Sequence, residues 1–250
     1  MAEYVYDGTF EGFLCCVYEH YHREKAEAIY PKEEFRQLSL LTSPIEVRSD
    51  AEKAEVVYHA NAEKISDFDL RRAYRIFLAE VPRKEMILLN YLRFGFIKGK
   101  DVSGYHGIKM VRDAEILEKN VTFEAHRLAG LLRFSVLDGG VLYAEISPDH
   151  RVLELLAPHF SDRYRNDPFI IHDVKRGEAI AASGGQWYLT TFSPEELPGY
   201  CKDEREYRKL WKRYFETTAI RERTNPRCQK SFMPVRYWKH LTELSEEYHF

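Results

Sequence analysis

Apolar positions along the chain alternate between helical and extended spacing. Phe10, Phe13, Leu14, Val17 and Tyr21 share one face of a 3.6-residue repeat, so a core-facing helix is expected after a short strand at 4–6 and a turn at Asp7-Gly8. A second helix is expected over 50–64. Ser66 and Asp69 have capping-box spacing, and Leu70, Ala73, Tyr74, Phe77, Leu78 and Val81 continue the helical stripe behind them. Beyond Pro82, residues 86–96 are apolar almost all round, as a buried central helix requires, and Gly95 and Gly99 mark its end. Residues 31–50 read as irregular, with a possible strand at 45–47.

The period then changes. Residues 131–137 and 141–146 read as two strands joined by Asp138-Gly139-Gly140, a hairpin signal. Pro148-Asp149-His150 introduces a helix of about 15 residues. Residues 169–173 form a buried strand, with further strands at 179–182 and 186–189 around Gly184-Gly185. From Asp203 a long helix carries Tyr207, Leu210, Trp211, Tyr214 and Phe215 on one face until Asn225-Pro226, and a final helix covers 235–246. The expected class is α+β: a mainly helical N-terminal part, a small, mostly antiparallel sheet in the middle, and two long C-terminal helices. The expected regions are 1–82 and 83–250, or one continuous fold.

At 250 residues and 44% apolar, the chain is long enough to bury a core without disulfides or metal. No apolar run approaches the ~20 residues of a membrane span, and the N-terminus has no signal-peptide pattern, so a cytoplasmic location is expected. Four cysteines without a C-x-x-C exclude a zinc ribbon and a three-cysteine iron–sulfur motif, and no cofactor is expected. Cys15 and Cys16 read as small buried hydrophobes.

The net charge of −3 hides an asymmetry. Residues 1–70 hold 15 acidic and 7 basic side chains, a balance of −8, whereas residues 200–240 hold 12 basic and 5 acidic ones, a balance of +7. Such a local excess fits either a solvated helical face or a contact for a polyanion. Its richest part sets Arg221, Arg223, Arg227, Lys230 and Arg236 among Asn225, Gln229, Phe232, Tyr237 and Trp238. Cations neutralise phosphates, amides reach base edges and aromatic rings stack on bases. The competing interpretation is a helical corner with core aromatics and solvated charges.

Two other constellations carry possible chemistry. His126, Arg127 and Arg133 are close enough to grip a phosphate, or else His126 is an interior histidine and the arginines pair with Glu124 and Glu145. His159 and Arg163 share a helical face, and with His172, Asp173 and Arg176 they offer an imidazole–carboxylate–guanidinium set for acid–base work, metal ligation, phosphate binding or structure. The P-loop, G-x-G-x-x-G, G-x-S-x-G and H-E-x-x-H signatures are all missing.

The stretches YDGTFEGFL (6–14), YLRFGF (91–96), EAHRLAGLLRF (124–134), LAPHFSDR (156–163), IHDVKR (171–176), ERTNPRCQ (222–229) and MPVRYW (233–238) together resemble an uncharacterised bacterial family called probable DNA metabolism protein. The pattern differs at Leu128-Ala129, where a more basic or bulkier pair is usual. The resemblance implies a gene beside a putative DNA-modification or repair protein of the radical-SAM class. It also implies a C-terminal domain of unknown function that is found fused to uracil-DNA glycosylase-like domains. Three functions follow as expectations. The first is a DNA-binding accessory protein partnering a radical-SAM repair enzyme. The second is a DNA-processing hydrolase or glycosylase-like enzyme using His126, His159, His172 and Asp173. The third is an interaction scaffold docking through its acidic half.

Overall fold

The computed structural model describes residues 2–35 and 43–245. These build two compact units, Met1–Val121 and Thr122–Phe250. In the first, β1 (Ala2–Tyr6), β2 (Ala26–Pro31) and β3 (Ile45–Glu46) form an all-parallel sheet in the order β2-β1-β3. Helix α1 (Phe10–His22) makes the β1–β2 crossover, and its N-cap Thr9 accepts the Gly12 N–H. Helices α2 (Ala51–Lys64), α3 (Asp67–Phe77) and α4 (Lys84–Lys98) follow. Asp50 and Ser66 cap α2 and α3, the latter through Asp69 N–H as the capping-box spacing implied.

Helix α4 is the buried helix that its all-round apolar pattern predicts: Leu88, Leu89, Tyr91 and Leu92 are inaccessible to solvent. Each such burial contributes about 1.5–3 kcal/mol. Gly99, not Gly95, ends this helix, at φ 67°. Tyr91 also donates to Asp69, which takes a second hydrogen bond from Ser103, while Arg72 reaches Tyr91 and Glu118. Cys15 and Cys16 are buried, and desolvation pushes both thiols up. Helix α5 (Lys109–Leu131) crosses the division between the units.

The second unit carries β4 (Ser135–Val136), β5 (Leu142–Ile146), β6 (Phe169–Asp173), β7 (Glu178–Ser183) and β8 (Gln186–Thr191), hydrogen-bonded in that order. Helix α6 (Leu153–Arg163) packs against β7 and β8. Phe134, Phe160 and Tyr164 surround Phe169 edge-on on that face. Gly184 and Gly185 both take positive φ, as a two-residue turn between β7 and β8 demands. Helices α7 (Glu204–Thr218) and α8 (Pro226–Phe232) and a 3₁₀ turn, Val235–His240, follow.

The α+β class therefore holds, and several details change. The N-terminal part is helical around a parallel sheet whose second strand sits in a stretch too short and too mixed to announce itself. The larger sheet is mixed, because β5 and β6 run parallel through the α6 crossover. The hairpin keeps only Ser135 and Val136 in its first strand, since α5 continues to Leu131. Helix α6 spans 11 residues, not about 15. In place of two long C-terminal helices, the described residues hold one. Helix α7 stops at Thr218, where the Thr217 and Thr218 hydroxyls bond back to carbonyls of the preceding turn. Asn225-Pro226 begins α8 instead of ending α7: Asn225 is its N-cap and Pro226 its first residue. The expected helix over 235–246 is the short 3₁₀ turn, and its last position lies outside the described residues.

Candidate nucleic-acid interface

The cations singled out in the sequence divide by what they touch. Arg133 forks onto Glu243 through Nη2 at 2.7 Å and Nε at 3.2 Å. Arg176 donates to Asp173 at 2.6 Å and to the Pro148 and Asp149 carbonyls. Arg236 pairs with Asp149 at 2.9 Å and lies over the Tyr237 ring. Arg127 reaches the Ser231 carbonyl at 3.4 Å. Arg163 is exposed over the Tyr164 ring. Arg223, Arg227 and Lys230 are exposed, and no carboxylate among the described residues pairs with them. Arg227 and Lys230 are three apart on α8 and so share a face. The Arg221 side chain lies outside the described residues.

The polar and aromatic members of the same segment are partly occupied. The Asn225 side-chain oxygen accepts the Cys228 N–H as the α8 cap, and Gln229 is half-buried. Phe232 is exposed. Tyr237 is buried and donates to Glu124 on α5, and the Trp238 indole donates to the Met233 carbonyl. Glu124 also accepts the Asp149 and His150 N–H groups at 2.9 and 2.7 Å. It is the buried carboxylate that ties α5, the 149–150 loop and the C-terminal turn together.

The histidines do not converge. His126 is exposed on α5, and His159 is exposed on α6 with its edge against Phe160. Strand alternation separates His172 from Asp173, because neighbouring side chains on β6 point to opposite faces. Phe169 and Asp173 share the α6 face, whereas His172 faces away from α6 toward Tyr143 and Phe192.

That second face holds a constellation the sequence reading did not assemble. Tyr143 and Glu145 alternate out of β5 on one side, and Ser147 follows just past its end. Tyr143 donates to Glu145 at 3.0 Å and lies 2.8 Å from His172 Nδ1, so its single hydroxyl proton leaves Nδ1 of His172 as the donor. Ser147 Oγ and His240 Nε2 share a 2.8 Å hydrogen bond, and His240 Nδ1 is 3.7 Å from Glu145. Burial, then Lys239, pushes His240 down to about 4; burial also lowers His172 and raises Tyr143. Tyr143, Glu145 and His240 line a polar cavity of about 380 Å³ together with Arg133, Tyr200, Arg208 and Lys239. The period-two polar pattern of Tyr143, Glu145 and Ser147 was the available signal; the return of His240 from the far end of the chain had none.

Beside it runs an apolar groove of about 660 Å³ along α7, and Arg133, Arg208 and Thr242 line both. Tyr207, Leu210 and Tyr214 are 62%, 61% and 59% exposed on its wall, and Trp211 is 39% exposed. The Trp211 indole donates to Glu243 at 2.9 Å and lies under the Arg133 guanidinium. Among the described residues no group of three or more His, Cys, Asp or Glu side chains is arranged to hold a metal ion, and no helix is long and apolar enough to cross a membrane.

The fold and these surfaces define a two-unit α+β protein whose second unit carries a basic C-terminal segment, an aromatic groove and a polar cavity. The chain belongs to the family described as domain of unknown function DUF4130, whose sequence model matches residues 82–243. The match takes in the end of the first compact unit and most of the second. No curated protein and no solved structure matches the chain.

Proposed function

We propose that this protein is a DNA-binding accessory factor in DNA repair or modification, acting beside a radical-SAM enzyme that supplies the chemistry. The observation that carries the reading is the trio Arg223, Arg227 and Lys230, exposed and without carboxylate partners among the described residues. Cations already paired, such as Arg133 and Arg236, would have to give up a carboxylate before meeting a phosphate; these three would not. The radical-SAM partner rests on the family resemblance and on the lack of cluster-binding cysteines. The test is a salt titration of DNA binding by the triple variant Arg223→Gln, Arg227→Gln and Lys230→Gln. The slope of log K against log salt should flatten by roughly 1 per lost contact. An unchanged slope in a folded triple variant overturns the assignment, and failure to co-purify with the radical-SAM protein removes the partner.

A second reading, a DNA-processing hydrolase, is favoured by one arrangement. Ser147, His240 and Glu145 stand in the order hydroxyl, imidazole, carboxylate, and the last two line the polar cavity. Of the four expected catalytic residues, only His172 belongs to this network. Labelling of Ser147 by a fluorophosphonate, lost in His240→Gln, would support the hydrolase; an unlabelled Ser147 would count against it.

A further inference from the structure

The α7 groove combines three properties seldom found on one surface. Its aromatic rings are exposed, one of them is fixed in place, and the helix around them is positively charged. Tyr207, Leu210, Trp211 and Tyr214 follow one another at the spacing of a core-facing stripe, yet no element of the described chain covers them. Trp211 is held by its indole hydrogen bond to Glu243 and by the Arg133 guanidinium 5.4 Å from its ring. Burial works to raise the Glu243 carboxyl, but the Arg133 and Trp211 hydrogen bonds prevail and hold it low, so the anchor stays charged. An exposed ring pinned in this way loses little conformational freedom on meeting a flat partner.

Charge selects the partner. Helix α7 carries five cations, Arg205, Arg208, Lys209, Lys212 and Arg213, against Glu204, Glu206 and Glu216; Arg208 and Lys209 pair with Glu204 and Glu206, and the helix keeps a positive balance. A polyanion with flat apolar groups matches such a surface better than an apolar protein helix, which would gain nothing from the excess of positive charge. We infer that the α7 groove is a stacking platform for an unpaired DNA strand, with bases laid on Tyr207, Trp211 and Tyr214 and phosphates toward the flanking cations. The inference rests on the DNA-binding reading and adds the form of DNA bound. A duplex is unsuitable because its base faces are already stacked on one another. The three rings rise about 4.5–6 Å apart along the helix axis. That exceeds the 3.4 Å step of a stacked strand, so the platform fits bases drawn apart.

The experiment is an anisotropy titration of the full chain with a labelled oligo-thymidine, a blunt hairpin duplex of equal charge, and an abasic strand of the same length. The oligo-thymidine should bind at least tenfold more tightly than either of the others and should quench Trp211, a change lost in Trp211→Phe. The double variant Tyr207→Ala and Tyr214→Ala should lower oligo-thymidine affinity at least tenfold and leave duplex binding unchanged. Both positions are exposed, so the variant should keep its melting temperature. Equal binding of the three ligands, or a double variant with undiminished single-strand affinity, overturns the inference even if the Arg223, Arg227 and Lys230 variant still flattens the salt slope. Self-association that disappears in the double variant while DNA binding persists also overturns it, by assigning the groove to a second copy of the chain.

Discussion

Helices α4 and α7 are both 15 residues long and both rich in large apolar side chains, but they are used in opposite ways. Helix α4 has apolar residues nearly all round, and its chain of Leu88, Leu89, Tyr91 and Leu92 is sealed from solvent. Helix α7 confines its apolar residues to one sharp stripe, the pattern usually taken as the mark of a helix lying on a core, and that stripe is open. A segregated stripe shows only that a helix has something to cover. What covers it depends on the rest of the chain, and for α7 the described residues supply no cover.

The comparison can be broken most directly by truncating each helix. Leu92→Ala should cost about 2–5 kcal/mol, read as a lower denaturation midpoint with an unchanged slope. A loss below 1 kcal/mol would mean that α4 is not the centre of its unit.

Acid should discriminate next. The folded-state value of about 4 for His240 lies below its unfolded value of about 6.5, so the unfolded chain binds the proton first. Stability from this group is therefore intact above about pH 6.5 and falls as the pH drops toward 4, by up to roughly 3 kcal/mol; His172, lowered too, has the same sign. Lys239 works in the same direction, whereas Glu145 and Asp173 oppose it. Melting curves of His240→Gln between pH 7 and 4.5 should show a shallower fall than the parent, and parallel curves would remove His240 from the balance.

Gly95→Ala should have a smaller effect. Alanine is the better helix former by about 1 kcal/mol, but its Cβ would meet Ile65 Cδ1 at 2.6 Å inside a packed core. Overpacking of about 1–3 kcal/mol should outweigh that gain and leave a net loss of about 1 kcal/mol. A stabilised variant would show that Ile65 yields freely. The smallest effect belongs to α7, where Leu210→Ala should change stability by less than about 0.5 kcal/mol because its side chain is already mostly in water. A loss above 1 kcal/mol would mean that the stripe is covered after all.

Local signals made several elements of both units legible. The Ser66 cap, the all-apolar run behind Pro82 and the Gly184-Gly185 turn act within a few residues of themselves, so the chain announces them. What stayed hidden depends on distant partners. Strand β2 is set by its pairing with β1 across the α1 crossover, and α5 outruns the β-like texture around Leu131. The site shows the same limit. Exposure of Arg223, Arg227 and Lys230 agrees with their polar setting, but the Arg133–Glu243 fork spans 110 residues and the Ser147–His240 bond spans 93. No window along the chain contains either pair.

The two sheets also differ in the order in which they can form. Strands β6, β7 and β8 are joined by the 174–177 turn and by Gly184-Gly185, so their pairing closes short loops at little entropic cost. The parallel pairs β1–β2 and β5–β6 must each wait for a helical crossover to be placed. Contact separation of this kind governs folding speed. The β6–β8 meander is therefore expected to gain amide protection before β5 and before the N-terminal sheet. Pulse-labelled hydrogen exchange that found all eight strands protected together would refute that order. A nascent or refolding chain on this schedule completes the edge of the larger sheet first and seats β5, the strand that carries Tyr143 and Glu145, late.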